Sequence, residues 1–223
     1  MSEEFINIAI DGPVASGKGT VTKALSARLG IPALDTGAIY RAVTLYLLEN
    51  EITLDDEKTI LLAINKMDLQ IFVAEKNIMR VFVLGRDVSG KLRDNEISLA
   101  TPKVAAYPGV RDFVNRKIAA VASQGNYILE GRDIGTVVLP NAKYKFFLTA
   151  SLVERATRRH QDLLAKGENV PFLEVMAQVK QRDEADMNRA VGPLKQAPDA
   201  ILIDNTGLNL EQTLDAMIAH IKR

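Results

Sequence analysis

The chain contains no cysteine. Disulfides, thiolate metal sites and a cysteine nucleophile are therefore excluded. Histidine is nearly absent too. His160 and His220 are the two present, and no His/Asp/Glu cluster has metal-ligand spacing. Aromatic residues make up 5% of the 223, so no stacking surface for single-stranded nucleic acid is visible. An excess of one charge is missing as well. Lys+Arg and Asp+Glu both number 28, and the broad basic field of a general nucleic-acid binder is not there. Long apolar runs are also lacking. Those such as residues 60–64 are far too short to span a bilayer. The start, Met1-Ser2-Glu3-Glu4, is acidic, unlike a signal or transit peptide. A cytoplasmic protein with no membrane or nucleic-acid partner is expected.

What is present is an ordinary globular composition, 47% hydrophobic and 25% charged. Residues 5–10 read as a buried strand. A glycine-rich turn spans 12–19, and a helix over 20–29 stops at Gly30. Residues 31–34 read as a second strand, and 38–49 as a second helix. This strand–turn–helix–strand order predicts an α/β fold with a parallel sheet and flanking helices. Residues 69–93 change character. Two strand patterns, 69–73 and 79–83, flank a turn candidate at 74–77, and a third short strand falls near 86–89, which makes a small antiparallel insert. A helical pattern resumes near 95 and continues past Pro108 to about 123. Strands at 127–129 and 145–148, helices at 151–166 and 171–190, a strand at 200–203 and a helix at 209–222 complete the pattern.

The strongest motif is Gly12-Pro13-Val14-Ala15-Ser16-Gly17-Lys18-Gly19-Thr20. It follows a predicted strand and opens a predicted helix, as a P-loop must. Such a turn aims successive N–H groups into a concave nest, and the helix N-terminus adds partial positive charge. Lys18 supplies a mobile point charge for the outer phosphates. The hydroxyl comes at Thr20, one place later than in the general pattern. Thr20 then faces an inner phosphate, with Mg²⁺ held mainly by ATP oxygens and water. Asn65-Lys66-Met67-Asp68 and Asp204-Asn205-Thr206-Gly207 match two GTPase patterns, but in reversed order, and Asn65 ends a predicted helix. A GTPase is therefore set aside.

Asp35-Thr36-Gly37-Ala38-Ile39-Tyr40-Arg41 leaves the second strand and enters a helix that Thr36 can cap. Glu130-Gly131-Arg132-Asp133 leaves another core strand in the same way. Ligands of doubly wound sheets gather at these strand ends. Each tetrad alone would equally describe a cap or surface ion pair.

Taken together, these segments resemble the bacterial cytidylate kinases, within the P-loop nucleoside monophosphate kinases. The likeness covers almost the whole chain. It is carried by residues 10–13, 17–20, 35–41 and 130–138, with Arg182-Asp183, Asn188-Arg189-Ala190 and Pro193-Leu194. The resemblance implies phosphoryl transfer from ATP, with Mg²⁺, to CMP and dCMP, by a monomer. It assigns Gly12 to Thr20 and Arg158 to the donor. Arg111 and Asp133 would read cytosine, because a carboxylate accepts from the exocyclic amine. Arg182 and Asp186, spaced i, i+4, would hold the ribose. Arg41, Arg132 and Arg189, with Thr36 and Tyr40, would surround the acceptor phosphate, and Lys18 would join these three arginines in catalysis. Pro102 stands where the family carries a serine near the base, and Thr101 is the neighbouring hydroxyl. Arg155, Arg158 and Arg159 share roughly one helical face beside the 166–171 loop, the layout of a lid. The implied plan is a single kinase domain: core 1–68 and 108–223, monophosphate-binding insert about 69–107, and lid about 155–171. Three other readings remain at this point: a kinase with another acceptor, a nucleotide-sensing regulator, and an RNA binder supported only by local arginine clusters.

Overall fold

Five parallel strands form the centre of the protein, in the order β2-β6-β1-β7-β8. The computed structural model describes residues 5–74 and 78–221. β1 (Asn7–Asp11) lies in the middle, between β6 (Tyr127–Gly131) and β7 (Tyr144–Thr149). β2 (Ala33–Asp35) and β8 (Ile201–Asp204) close the two sides. Ile8, Ala9 and Ile10 of β1 are fully buried, as expected for a parallel strand covered by helices on both faces. The register sets the strand ends side by side. Asp11 pairs with Gly131, and Asp35 pairs with Glu130. One edge of the sheet thus gathers the turns expected to bind ligand.

α1 (Lys18–Leu29) leaves the glycine-rich turn, and its end is closed by the Gly30 N–H on Ser26 O at 2.9 Å. β2 starts two residues later than the pattern suggests. Pro32 has no N–H for a ladder, and only its carbonyl is used, by Ile128 N. α2 (Thr36–Glu49) then begins two residues early. Its cap is Asp35, whose carboxylate accepts from Ala38 N at 3.0 Å. Thr36 is not the cap. It is the first helical residue, and its hydroxyl donates to Glu130 O at 2.8 Å. Either side chain suits a cap, and the strand register decides between them.

After α3 (Glu57–Ile64), β3 (Leu69–Ala74), β4 (Ile78–Val83) and β5 (Arg86–Asp87) build a separate antiparallel sheet. The expected turn around 74–77 falls mostly on 75–77, outside the described residues. The single helix read across Pro108 is two helices, α4 (Asn95–Ala105) and α5 (Pro108–Ala122). Proline cannot donate in a helix interior but suits a first position, so α5 starts on it. Pro102 does stand inside α4, leaving the Ser98 carbonyl without its partner four residues on. β6 is followed by one turn of π-helix, Ile134–Val138, which the sequence pattern did not suggest. α6 (Leu152–Ala165) and α7 (Phe172–Asn188) form an antiparallel pair with its own small core of Leu163, Val175 and Val179. α8 (Leu210–Ile218) ends sooner than expected, so His220 lies in an exposed turn and not in a helix. His160 packs edge-on against Phe172.

Candidate active site

The turn from 12 to 17 comes off the central strand, and its curvature has a steric cause. A Cβ at Gly12 would stand 2.0 Å from Leu148 O of β7. Gly17 sits at the helix start with no side-chain cap, and the helix opens with the bond from Val21 N to Gly17 O at 2.9 Å. The N–H groups of α1's first turn therefore have no intrahelical acceptor, the condition for gripping phosphate. Pro13 has no N–H, and that of Val14 is given to Asp183 Oδ1 at 3.1 Å. Ala15 through Thr20 are thus the residues whose amides remain to form a nest.

Lys18 is buried under this turn. Its ammonium donates to Gly12 O (2.8 Å), Pro13 O (2.7 Å) and Ser16 Oγ (3.3 Å). Burial, then the nearby Arg132, pushes its pKa well below the ordinary lysine range. Glu130 is the opposing carboxylate. Burial, then Asp35 beside it, pushes its pKa up. Its carboxylate also borders Gly19 in the first turn of α1. Sequence reasoning gave Glu130 no role, although it heads one of the quoted tetrads.

Behind the turn, Arg158 Nη1 donates to Asn205 Oδ1 (3.1 Å) and Ser16 O (3.3 Å). Asn205 is buried and donates to the same Ser16 carbonyl at 3.0 Å. It was passed over as part of a chance GTPase match, yet it follows the end of β8, where a ligand contact is to be sought. Arg155 departs from its expected role. It is not a free lid cation: its guanidinium is buried against Asp183, Val14 O and Ala150 O. Arg159 is exposed.

In front of the turn lies a cleft of about 390 Å³. Lys18, Thr36, Tyr40, Arg41 and Arg111 line it. So do Arg132, Asp133, Arg182, Asp186 and Arg189. All the residues expected around the acceptor are thereby brought together from α2, α5, β6 and α7. Ser98, Thr101 and Pro102 of α4 border the same space. The Thr101 hydroxyl is turned to its own helix, onto Ile97 O at 2.6 Å.

Two carboxylates hold four of the arginines. Asp133 accepts from Arg111 at 2.6 Å and from Arg189 at 3.3 Å, and Asp133 and Arg111 are both buried. Asp186 accepts from Arg132 at 2.8 Å and lies 3.6 Å from Arg182 and 3.8 Å from Arg189. Burial pushes the Asp186 carboxyl up, but Arg132, with Arg182 and Arg189, outweighs it and holds the pKa below the usual range. Arg41 pairs with Asp35 at 2.7 Å. The buried Nε atoms of Arg41 and Arg111 have no partner among the described residues, so each keeps a donor to spare. Tyr40 lies under the Arg111 guanidinium, 5.5 Å from ring centre to Cζ, and burial pushes its phenol up to about 12.

Asp11 ties the two halves of the site. Its carboxylate oxygens accept from Ile134 N (2.8 Å) and Gly135 N (2.7 Å), and so fix the π-turn directly after Asp133. Burial pushes its carboxyl up to about 6 against the lowering effect of those N–H groups. Between about pH 4 and 6 the folded protein therefore holds a proton that the unfolded chain has released. By linkage, stability from this group rises as pH falls through that window. Relative to Asp11→Asn, the unaltered chain is expected to gain about 1–3 kcal/mol between pH 7 and pH 4. Denaturant unfolding of both proteins at the two pH values measures it. A difference that does not move with pH would remove Asp11 as the titrating group.

The family model and the curated relatives agree on one family. The family model described as cytidylate kinase matches residues 8–223. A cytidylate kinase of Carboxydothermus hydrogenoformans is 44% identical over 218 residues, 98% of each chain. One of Shewanella loihica is 42% identical over 222 residues, 100% of this chain and 96% of its own. Among solved structures, a gluconokinase from Sinorhizobium meliloti superposes with a TM-score of 0.50 at 14% identity, covering 96% of this chain and 90% of that one. At that identity the likeness concerns the fold alone.

Proposed function

The chain belongs to the cytidylate kinase family, and from that membership we infer that it transfers the γ-phosphoryl group of ATP to CMP, giving ADP and CDP. One observation carries the reading beyond the family name. A single cleft joins the glycine-rich turn and its lysine to five arginines held by three carboxylates, Asp35, Asp133 and Asp186. Phosphoryl transfer between two anions needs this: positioning, and cations that cancel repulsion.

In this reading the amides of Ala15–Thr20 and Lys18 grip the triphosphate, with Arg158 beside the donor. Arg41, Arg132 and Arg189 draw in the acceptor phosphate, with Thr36 and Tyr40 at its edge. Arg182 and Asp186 hold the ribose. Arg111 and Asp133 read the base, Asp133 accepting from the exocyclic amine of cytosine. No general base is required, because the attacking group is an ionised phosphate oxygen. The ribose contact does not by itself reject a deoxyribose, and dCMP is a second acceptor. Mg²⁺ would neutralise the phosphates on which it arrives. Among the described residues no three His, Cys, Asp or Glu side chains converge on a metal site. Thr20, in the first turn of α1, and Glu130, which borders that turn, are the oxygen donors suited to it. The division into core 1–68 and 108–223, acceptor insert about 69–107 and lid about 155–171 belongs to the same proposal. The cleft-lining positions of Thr101 and Pro102 support it. We take the enzyme to be monomeric and cytoplasmic. No described helix is long and apolar enough to cross a membrane.

A panel of nucleoside monophosphates in a coupled ATP assay tests the acceptor. CMP is expected to be turned over far better than UMP. Uracil presents a carbonyl where Asp133 needs a donor, a mismatch costing about 1–3 kcal/mol. Asp133→Ala is expected to narrow the CMP/UMP gap about tenfold or more. An unchanged ratio would take base reading away from Asp133.

A further inference from the structure

Val14 is held by both polar groups of its backbone. Its N–H donates to Asp183 Oδ1 at 3.1 Å, and its carbonyl accepts from Arg155 Nη1 at 3.0 Å. The same Arg155 nitrogen meets Asp183 Oδ2 at 2.5 Å, and Arg155 Nε anchors on Ala150 O at 3.0 Å. Both charged residues are buried. The Val14 side chain packs into the small core between α6 and α7. The donor turn is thus fastened to these two helices at one residue, by two hydrogen bonds and by apolar contact.

The position of Asp183 gives that fastening a consequence. It follows Arg182 directly and lies one turn before Asp186, the two residues read above as ribose contacts. Asp183 and Asp186 are both buried, and Asp186 reaches Arg132. Any shift of α7 made by an arriving acceptor must therefore act on the Val14 peptide. A buried ion pair is by itself weak evidence for a stabilising role. Here the pair spans two elements that serve two different ligands. We propose that Asp183 and Arg155 are positioning residues that couple the acceptor helix to the donor turn, so that CMP binding tightens ATP binding and the reverse. The proposal rests on the acceptor reading of α7 given above.

Linkage makes the coupling measurable from either ligand. The probe is adenylyl imidodiphosphate, a non-hydrolysable ATP analogue, titrated with and without saturating CMP. In the unaltered chain CMP is expected to tighten the analogue about fivefold or more. Asp183→Asn keeps one acceptor for Val14 but turns an amide toward Arg155. Arg155→Lys keeps the charge but loses the fork that reaches three oxygens at once. In either variant CMP is expected to tighten the analogue less than about twofold, while CMP binding alone changes less than about threefold. Rescue of part of the coupling by Asp183→Glu would support a charge-held contact. If Asp183→Asn does not fold, Arg155→Lys decides. Full coupling in a folded variant overturns the proposal. So does a uniform weakening of both ligands with the factor unchanged, or no coupling in the unaltered chain. Arg182→Ala separates the two readings: unchanged CMP affinity there sinks the acceptor assignment of α7, whatever the coupling shows.

Discussion

Gly192→Ala is expected to raise the KM for CMP about a hundredfold or more while leaving the KM for ATP within a few-fold. Gly192 sits in the left-handed region at φ +56°, which alone costs an L residue about 1 kcal/mol. The larger effect is steric. A Cβ there would stand 2.0 Å from Asp133 Oδ2 and 2.9 Å from Arg111 Nη2. Neither neighbour can give way cheaply. Arg111 pins the carboxylate at 2.6 Å in a buried pair, and Arg189 holds its other oxygen. The loop cannot retreat either. Leu194 N is bonded to Asp186 O at 2.8 Å, and Gly192 O accepts from Arg189 Nε. The methyl group must therefore displace the Asp133–Arg111 pair proposed to read the base, and with it Arg189. The donor turn lies across the cleft and is not touched. Steady-state kinetics with each substrate varied in turn measures both constants. A KM for CMP within threefold of the unaltered enzyme would mean that Gly192 does not border the acceptor.

Lys18→Ala is expected to lower kcat by about a thousandfold or more with the fold intact. The ammonium is the one flexible cation inside the turn, and the amides around it are fixed. Three oxygens hold it there, those of Gly12, Pro13 and Ser16. Burial and Arg132 weaken its hold on the proton. Arriving phosphate would restore that hold, so the group interacts most strongly with the developing charge of the transition state. The same unfavourable burial makes its removal mild for stability. The melting temperature should fall by no more than a few degrees. Activity within tenfold of the unaltered chain, with folding confirmed by circular dichroism, would take catalysis away from Lys18.

The glycine-rich turn was legible because its signals are local. A strand, a curled turn and a helix follow one another within about twenty residues. Arg41 and Arg132 stood out because their segments leave core strands, where ligands collect, whereas Arg189 was reached only through the family resemblance. Features that depend on packing between distant segments were not. Nothing near Asp11 in sequence announces that it will accept from residues 134 and 135. The Arg155–Asp183 pair joins residues on two helices, and charge spacing alone made Arg155 a surface lid cation. Asp35 and Thr36 are both good caps, and only the pairing of β2 with β6 chose between them. The π-turn has no hydrophobic period of its own. Its first two amides are bound to Asp11 instead.

The carboxylates of the cleft have a meaning outside turnover. Five guanidinium groups crowded into so small a space would drive one another apart. Asp133 and Asp186 quiet that repulsion from within the chain, and Asp35 does the same for Arg41 while capping the start of α2. In the proposed reading Asp133 and Asp186 thus answer to two demands at once, substrate choice and the simple ability to fold, while Asp35 serves the second alone. Mutational drift at these positions is therefore penalised through folding even in a molecule that never meets a nucleotide.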